Sequence, residues 1–386
     1  MAPSSVSSPD NQSVTWVELF FDIIFVFSIT QLVGLLHSGI TWTSIGQGVL
    51  VFWLIWWGWS QYTWALNAAN TRHKAVELAT LLGGLLALVM SVAIHDVFTD
   101  TALWFAITYV MVRAIGLWLS IWASNSAADQ KKVFISFAMA SSGGLIFVLV
   151  GALAGGAAQY WFWGGAIAFD MFAAQIGNRA GHYQINVDHF IERHGLFVII
   201  VIGESLLVAA AGVTGHEWTT SLTLVAATSL VLTFSLWWSY FAHANDKLES
   251  AIESSGVKDV ASLLRDVFSM MHIPMILGLI GVVVAIEESI AHPDAVIHTE
   301  VRIALGVGIL LFVGGMGFAT KRAGGDLPIP RIAISAVAAL AIVFVDGVDA
   351  YITLLIGVIA LATIGVVEHL MESSSTPDEV QSVEPA

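Results

Sequence analysis

Residues 16–36 read WVELFFDIIFVFSITQLVGLL, a largely apolar run whose only charged residues are Glu18 and Asp22 near its start. At 1.5 Å rise per residue, a helix of this length covers about 30 Å, the thickness of a bilayer's hydrocarbon core. Lipid offers backbone polar groups no partner, so a segment of this kind crosses as a helix. Similar stretches recur along the chain. The coarse spans are 15–38, 43–66, 75–95, 101–123, 132–153, 158–178, 189–212, 219–243, 265–290, 298–319, 331–346 and 349–370. The predicted fold is all-α, a polytopic integral membrane bundle of about 12 transmembrane helices, with the eleventh span noticeably short.

Composition agrees. Of 386 residues, 57% are hydrophobic and only 11% charged, too apolar for a polar surface to cover a soluble core. The 29 acidic against 14 basic residues give a net charge of −15, which argues against nucleic acid as a partner. Membrane lipid and an unknown small solute or ion are the expected partners, with a homo-oligomer left open. The chain has no cysteine, hence no disulfide, thiol nucleophile or thiolate metal site. The first 14 residues lack the positive region of a cleaved signal peptide, so the first helix is expected to be retained.

Arg72, Lys74, Lys131, Lys132, Arg179, Lys247, Lys258, Arg265, Lys321, Arg322 and Arg331 fall in or beside alternate connections, and the opposite connections hold no Lys or Arg. The positive-inside rule then places both termini in the cytoplasm, with the cell membrane as the expected location. The expected organisation is a cytoplasmic tail over 1–14, six-helix halves over 15–178 and 179–370, and a disordered acidic cytoplasmic tail over 371–386. Trp42, Trp104, Trp161 and Trp218 sit near predicted interfaces, where amphipathic rings belong. Trp53, Trp56, Trp57, Trp237 and Trp238 lie within spans, where packing is their default role.

The halves look related. Trp56-Trp57-Gly58-Trp59 near the end of the second span corresponds to Trp237-Trp238-Ser239-Tyr240 near the end of the eighth, and Asn67 and Asn245 follow. The third and ninth spans both leave through Ala-Ile and two titratable residues, and the first and seventh open with Glu18 and Glu192. Six spans per half imply parallel repeats about an axis along the membrane normal.

An ionisable side chain at membrane depth is expensive, so each one is a functional candidate. Glu18 and Asp22, four residues apart, share one helical face near the cytoplasmic end. The plainer reading is a pair of acids at a helix N-terminus. Glu204 lies about 15 positions into the seventh span, after Gly203, with Arg193 on the same stripe about 16 Å away. Asp170 and Arg113 fall near mid-membrane and are either an ion pair or part of a proton path. Arg302 is expected to pair with Glu287 or Glu288. His182, His189 and His194, beside Asp188 and Glu192, suggest a solvated, pH-sensitive cytoplasmic mouth. Their spacing fits no metal motif. Nothing resembles a phosphate loop, nucleophile elbow or zinc-protease helix, so no catalytic residue, metal or cofactor is expected.

Two motifs carry a resemblance. One is Glu18-Leu19-Phe20-Phe21-Asp22-Ile23-Ile24-Phe25-Val26-Phe27 with Ile29-Thr30-Gln31-Leu32. The other is His189-Phe190-Ile191-Glu192-Arg193-His194-Gly195-Leu196-Phe197 running on to Gly203-Glu204-Ser205. In both, the sequence resembles the bacterial low temperature requirement A membrane proteins, a family named for growth in the cold. The resemblance supports the fold and the choice of residues and implies no substrate; beyond about residue 245 no family motif is matched. The expected function is a proton- or cation-coupled secondary transporter with Glu204 and Asp22 as coupling sites. Asp170 is a second acid there, Glu18 and Glu192 are further ion-binding candidates, and Arg113 and Arg193 are counter-ions. The alternatives are a passive ion channel and a membrane-embedded enzyme or lipid-handling protein using the histidine cluster.

Overall fold

Each predicted span emerges as a helix in the structure, a computed structural model that describes residues 5–9, 11–37, 40–180, 185–214, 217–244, 252 and 260–375. In chain order these are α1 (Trp16–His37), α2 (Trp42–Ala68), α3 (Lys74–Val92), α4 (Ala102–Ala123), α5 (Ala128–Ala154) and α6 (Gly156–Ala180). They continue as α7 (Val187–Val213), α8 (Thr220–Ser239), α9 (Val260–Ala291), α10 (Thr299–Arg322), α11 (Ile329–Phe344) and α12 (Ala350–Ser375). Nine are long and apolar enough to cross a bilayer. Helix α2, with its six tryptophans, α6 and the 16-residue α11 complete the twelve among the described residues.

Local chemistry sets the helix ends. Thr41 caps α2 in a reciprocal pair with Ser44, and Asn186 caps α7 by accepting from the His189 backbone N–H at 3.1 Å. A proline in its first turn starts α11, and Gly347 at φ +69° makes the turn after it. Helix α9 begins five residues before the predicted 265 and contains a π-helical turn at Arg265–Met270; a second π turn, Tyr240–Ala244, follows α8. Helix α12 runs to Ser375, which corrects the expected tail boundary at 371; residues 376–386 lie outside those described.

The core lies where the halves meet. Helices α1 and α2 pack against α7 and α9, and α9 and α10 are the most buried of the nine long apolar spans. Within each half the first helix packs on the third, the third on the fourth, the fourth on the fifth, the fifth on the sixth and the second on the sixth. Trp42, Trp104, Trp161 and Trp218 are 66–82% exposed, all at N-terminal ends of even-numbered helices and so on one side of the bundle. Of the internal tryptophans, Trp56 and Trp57 are buried, whereas Trp237 and Trp238 face outward.

On that same side Arg302 reaches Asp346 at 2.6 Å and Thr299 at 3.1 Å, not Glu287 or Glu288 as expected. The turn at Gly347 carries Asp346 over the end of α10, a long-range placement that outcompetes acids on the neighbouring helix. Arg331, expected beside a loop, is 3% exposed and ties α11 to Glu368 of α12 and the Ser239 carbonyl of α8.

Two predictions follow from this packing. Gly278 of α9 and Gly308 of α10 bring backbone against backbone, and a Cβ on Gly308 would stand 2.7 Å from the Gly278 carbonyl oxygen. We expect Gly308→Leu to cost about 3 kcal/mol or more, read as a lowered melting temperature in detergent; unchanged melting would mean that the helices are not so close. The Arg302 hydrogen bond and charge hold the Asp346 carboxyl below the ordinary aspartate value of 3.8. A depressed carboxylate stabilises above its unfolded value and loses that contribution as pH falls. Asp346→Asn should therefore lower the melting temperature slightly at neutral pH, and the difference from wild type should close below pH 3.8.

Candidate functional site

Helical spacing of four places Glu18 and Asp22 on one face of α1, and the same spacing places His189 and Arg193 on one face of α7. The two faces meet. Arg193 Nη2 donates to Asp22 Oδ1 at 2.5 Å and Nη1 to Glu18 Oε1 at 3.5 Å, while His189 Nε2 lies 2.9 Å from the same Glu18 oxygen. All four side chains are 0% exposed. The other Glu18 oxygen accepts from the Thr15 N–H at 2.9 Å and the Thr15 hydroxyl at 2.8 Å. Trp59 of α2 donates its indole N–H to Asp22 Oδ1 at 2.7 Å, and the Arg193 guanidinium lies 5.7 Å from the Trp59 ring centroid.

The hydrogen bonds fix the histidine tautomer. Asn67 Oδ1 accepts from the Asn186 N–H at 3.1 Å and Asn67 Nδ2 donates to the Asn186 carbonyl at 2.7 Å, which orients the amide. The second Nδ2 hydrogen then points at His189 Nδ1, 3.2 Å away. Nδ1 is thus an acceptor, and the ring carries its one proton on Nε2, donated to Glu18. Two carboxylates share a single guanidinium beside a neutral imidazole, which leaves one negative charge in excess if both acids are ionised. Asp22 Oδ2 is buried without a hydrogen-bond partner, as is Arg193 Nε.

Beyond Trp59 the network continues into aromatic and histidine side chains. His194 donates from Nδ1 to the Phe190 carbonyl at 2.9 Å, leaving Nε2 buried and unpartnered. Its ring lies 4.9 Å from Trp59 and 5.2 Å from His272 of α9. His272 donates from Nδ1 to the Val267 carbonyl at 3.1 Å and accepts at Nε2 from the Tyr240 hydroxyl at 3.1 Å. His189 and His194 are thus buried, where a solvent-exposed mouth was expected; His182 lies outside the described residues. Among the described residues no three of His, Asp and Glu gather in a metal-holding group.

The remaining candidates stand apart. Asp170 of α6 pairs with Arg113 of α4 at 3.3 Å inside the first half. Arg113 also donates to Tyr109 at 2.6 Å, to Ser141 at 2.5 Å and to Gln61, so its charge is balanced and its fork filled. Glu204 accepts from Thr30 of α1 at 2.6 Å, about 16 Å along α7 from Arg193. Glu192, on the exposed side of α7, accepts from the Val14 N–H at 3.2 Å. The carboxylates therefore do not converge: Glu18 and Asp22 form one site, Asp170 another, and Glu204 a third.

Sequence reasoning did not foresee Trp59, Asn67, His272 and Tyr240 in this network. A signal existed, because aligning Trp56-Trp57-Gly58-Trp59 with Trp237-Trp238-Ser239-Tyr240 sets Trp59 opposite Tyr240, and both use their polar atom at the centre. The segment before α1 was unforeseen too. The Ser8 N–H donates to the Ala68 carbonyl at 2.9 Å and the Asn70 N–H to the Val6 carbonyl at 2.7 Å, strapping this segment to the end of α2. Gln12 donates to the Leu66 carbonyl at 3.0 Å and accepts from the Thr71 N–H at 3.2 Å. The strap covers the end of the bundle nearest Glu18.

Comparison with known proteins agrees with the motifs around Glu18 and His189. A family profile described as the bacterial low temperature requirement A protein (LtrA) matches residues 13–367. The uncharacterized protein RA0937 of Rhizobium meliloti (strain 1021) is 25% identical over 344 residues, 84% of this chain and 81% of that protein. With nearly its whole length matched, the chain belongs to the bacterial low temperature requirement A family.

Proposed function

We propose that this protein is a proton-coupled secondary transporter of a small solute, with the Glu18–Asp22–Arg193–His189 cluster as its coupling site. The observation that carries the reading is the charge count at the meeting of the two halves. Two buried carboxylates face one guanidinium, and a second proton on His189 would collide with the Asn67 amide hydrogen. A proton on Asp22 Oδ2, the carboxylate oxygen without a partner, restores neutrality. A metal cation is disfavoured because the cluster offers it too few oxygens.

In this reading Arg193 is the counter-ion that Glu18 and Asp22 share. Glu204 with Thr30 is a second proton station further along the α1–α7 seam. Between the two levels the seam is filled by Val26, Ile29, Phe197 and Val201, all at most 3% exposed, so this conformation is closed across the middle. The strap and the Asn67–Asn186 pair close the other end. Arg113 and Asp170, balanced against each other, anchor the first half. The halves act as parallel six-helix repeats in the cell membrane with both termini cytoplasmic, and relative motion along the seam would expose Asp22 to one side or the other. The protein is then neither an enzyme nor dependent on a cofactor.

The test uses purified protein in proteoliposomes on a solid-supported membrane, with a panel of small organic acids, amines, amino acids and sugars presented across a pH gradient. The wild type should give a pH-dependent current with at least one solute, and Asp22→Asn should abolish it while melting as the wild type does. A proton current that needs no solute would favour a channel instead, and an unchanged current in Asp22→Asn would remove Asp22 from the mechanism.

A further inference from the structure

A cleft with a cavity volume of about 70 Å³ lies on the far side of α2 from Asp22, between α2, α4, α5, α6 and the π turn of α9. That volume has room for a few water-sized groups. Its body is apolar, walled by Trp57, Trp64, Val133, Phe134, Phe137 and Ala174. Its polar side chains include Gln61 and Ser120, which donate to the Arg113 and Gly116 carbonyls, and a group left with free donors. Arg265 lines it, with Nε and Nη2 held on Asp266 Oδ1 at 2.8 and 2.5 Å while Nη1 is buried without a partner. Trp57, 5% exposed, also leaves its indole N–H unpartnered. Ser269 Oγ accepts from Ser60 Oγ and from Trp64 Nε1, both at 3.0 Å, which leaves its own hydrogen to donate.

Among the described residues the charge of Arg265 is not cancelled. Asp266 gives its other oxygen to Arg322 at 2.7 Å, so two guanidinium groups share one carboxylate and a positive charge remains. None of the residues lining the cleft is acidic. Unpartnered donors on two lining residues, a net positive charge beside them and aromatic walls describe a receptor for an anion with an apolar body. The π turn contributes by placing Arg265 and Ser269 on the same wall, a use such turns have at functional sites.

We infer that this cleft binds a small organic monocarboxylate with an aromatic or branched aliphatic body, its carboxylate received by Arg265 Nη1, Trp57 Nε1 and Ser269 Oγ. The inference rests on the transport reading only for its role, in which the carboxylate is the solute. The site shares α2 and α9 with the proton cluster: Trp59 donates to Asp22, and Trp56 donates to the Ser269 carbonyl at 2.7 Å. An anion arriving with a proton would then bind on one side of α2 while Asp22 is protonated on the other. An anionic lipid headgroup offers similar chemistry, so the source of the anion must be separated by experiment.

The experiment is equilibrium binding of radiolabelled benzoate to the full-length protein in phosphatidylcholine nanodiscs, with no gradient present. Benzoate should bind saturably, benzamide and benzylamine should compete about tenfold less well or worse, and Arg265→Gln should weaken benzoate by about tenfold or more. Trp57→Phe, which keeps the wall and removes the N–H, should weaken it in the same direction and guards against misfolding of the arginine variant. Non-saturable uptake, equal competition by benzamide, or wild-type affinity in both variants overturns the inference. Competitive loss of benzoate in phosphatidylglycerol nanodiscs overturns it too, since the anion would then be a lipid. Failure here together with an Asp22-dependent current for another solute would leave the proposed function standing.

Discussion

The shared Arg193 guanidinium is the interaction on which the arrangement of the two halves depends. A fully buried arginine in a membrane bundle is stable only if its charge and donors are met. Here the charge and the two terminal nitrogens are met by acids from the other half, so the ion pair also joins the halves. The same contact creates an imbalance, since one cation cannot neutralise Glu18 and Asp22 together. The first half contains a contrasting arrangement in Arg113 and Asp170, one charge against one, with the fork of the guanidinium filled. The balanced pair reads as structural, and the unbalanced one as a place where a proton is required.

Helix α2 stands between the two places where charge is left over. One face gives Trp59 to the proton cluster, and the adjoining face gives Trp57, Ser60 and Trp64 to the cleft. Helix α9 mirrors this, offering His272 to the aromatic–histidine layer and Arg265 and Ser269 to the cleft. In the proposed transport, a proton-binding cluster on one side of these helices and an excess of positive charge on the other would give a physical route for coupling, since a movement of α2 or α9 would alter both sites. The tryptophans that lower the hydropathy of α2 are therefore the means by which it carries polar groups through the apolar core.

Much of this was legible in the sequence because it follows from local rules. Hydropathy and length located every helix, and the four-residue spacing put Glu18 and Asp22 on one face. The rest needed tertiary placement. In His189-Phe190-Ile191-Glu192-Arg193-His194 four of six residues are polar, and only the packing of α1 decides that His189 and Arg193 turn inward while Glu192 turns out. Glu204 looked central by depth alone, yet its partner is Thr30 on another helix, well away from Asp22. Arg302 was matched to acids near it in the sequence and met Asp346 instead, because a turn between α11 and α12 brings that residue across. Unfilled donors such as Arg265 Nη1 appear only once their neighbours are known.

The central claim is that Asp22 holds the proton that balances this cluster. Infrared spectroscopy of the purified protein at neutral pH, in wild type, Asp22→Asn and Glu18→Gln, tests it most directly through the carbonyl stretch of a protonated carboxyl group. The account predicts such a band in the wild type, its loss in Asp22→Asn and its persistence in Glu18→Gln. A wild-type band untouched by Asp22→Asn, or no band at all, would contradict it.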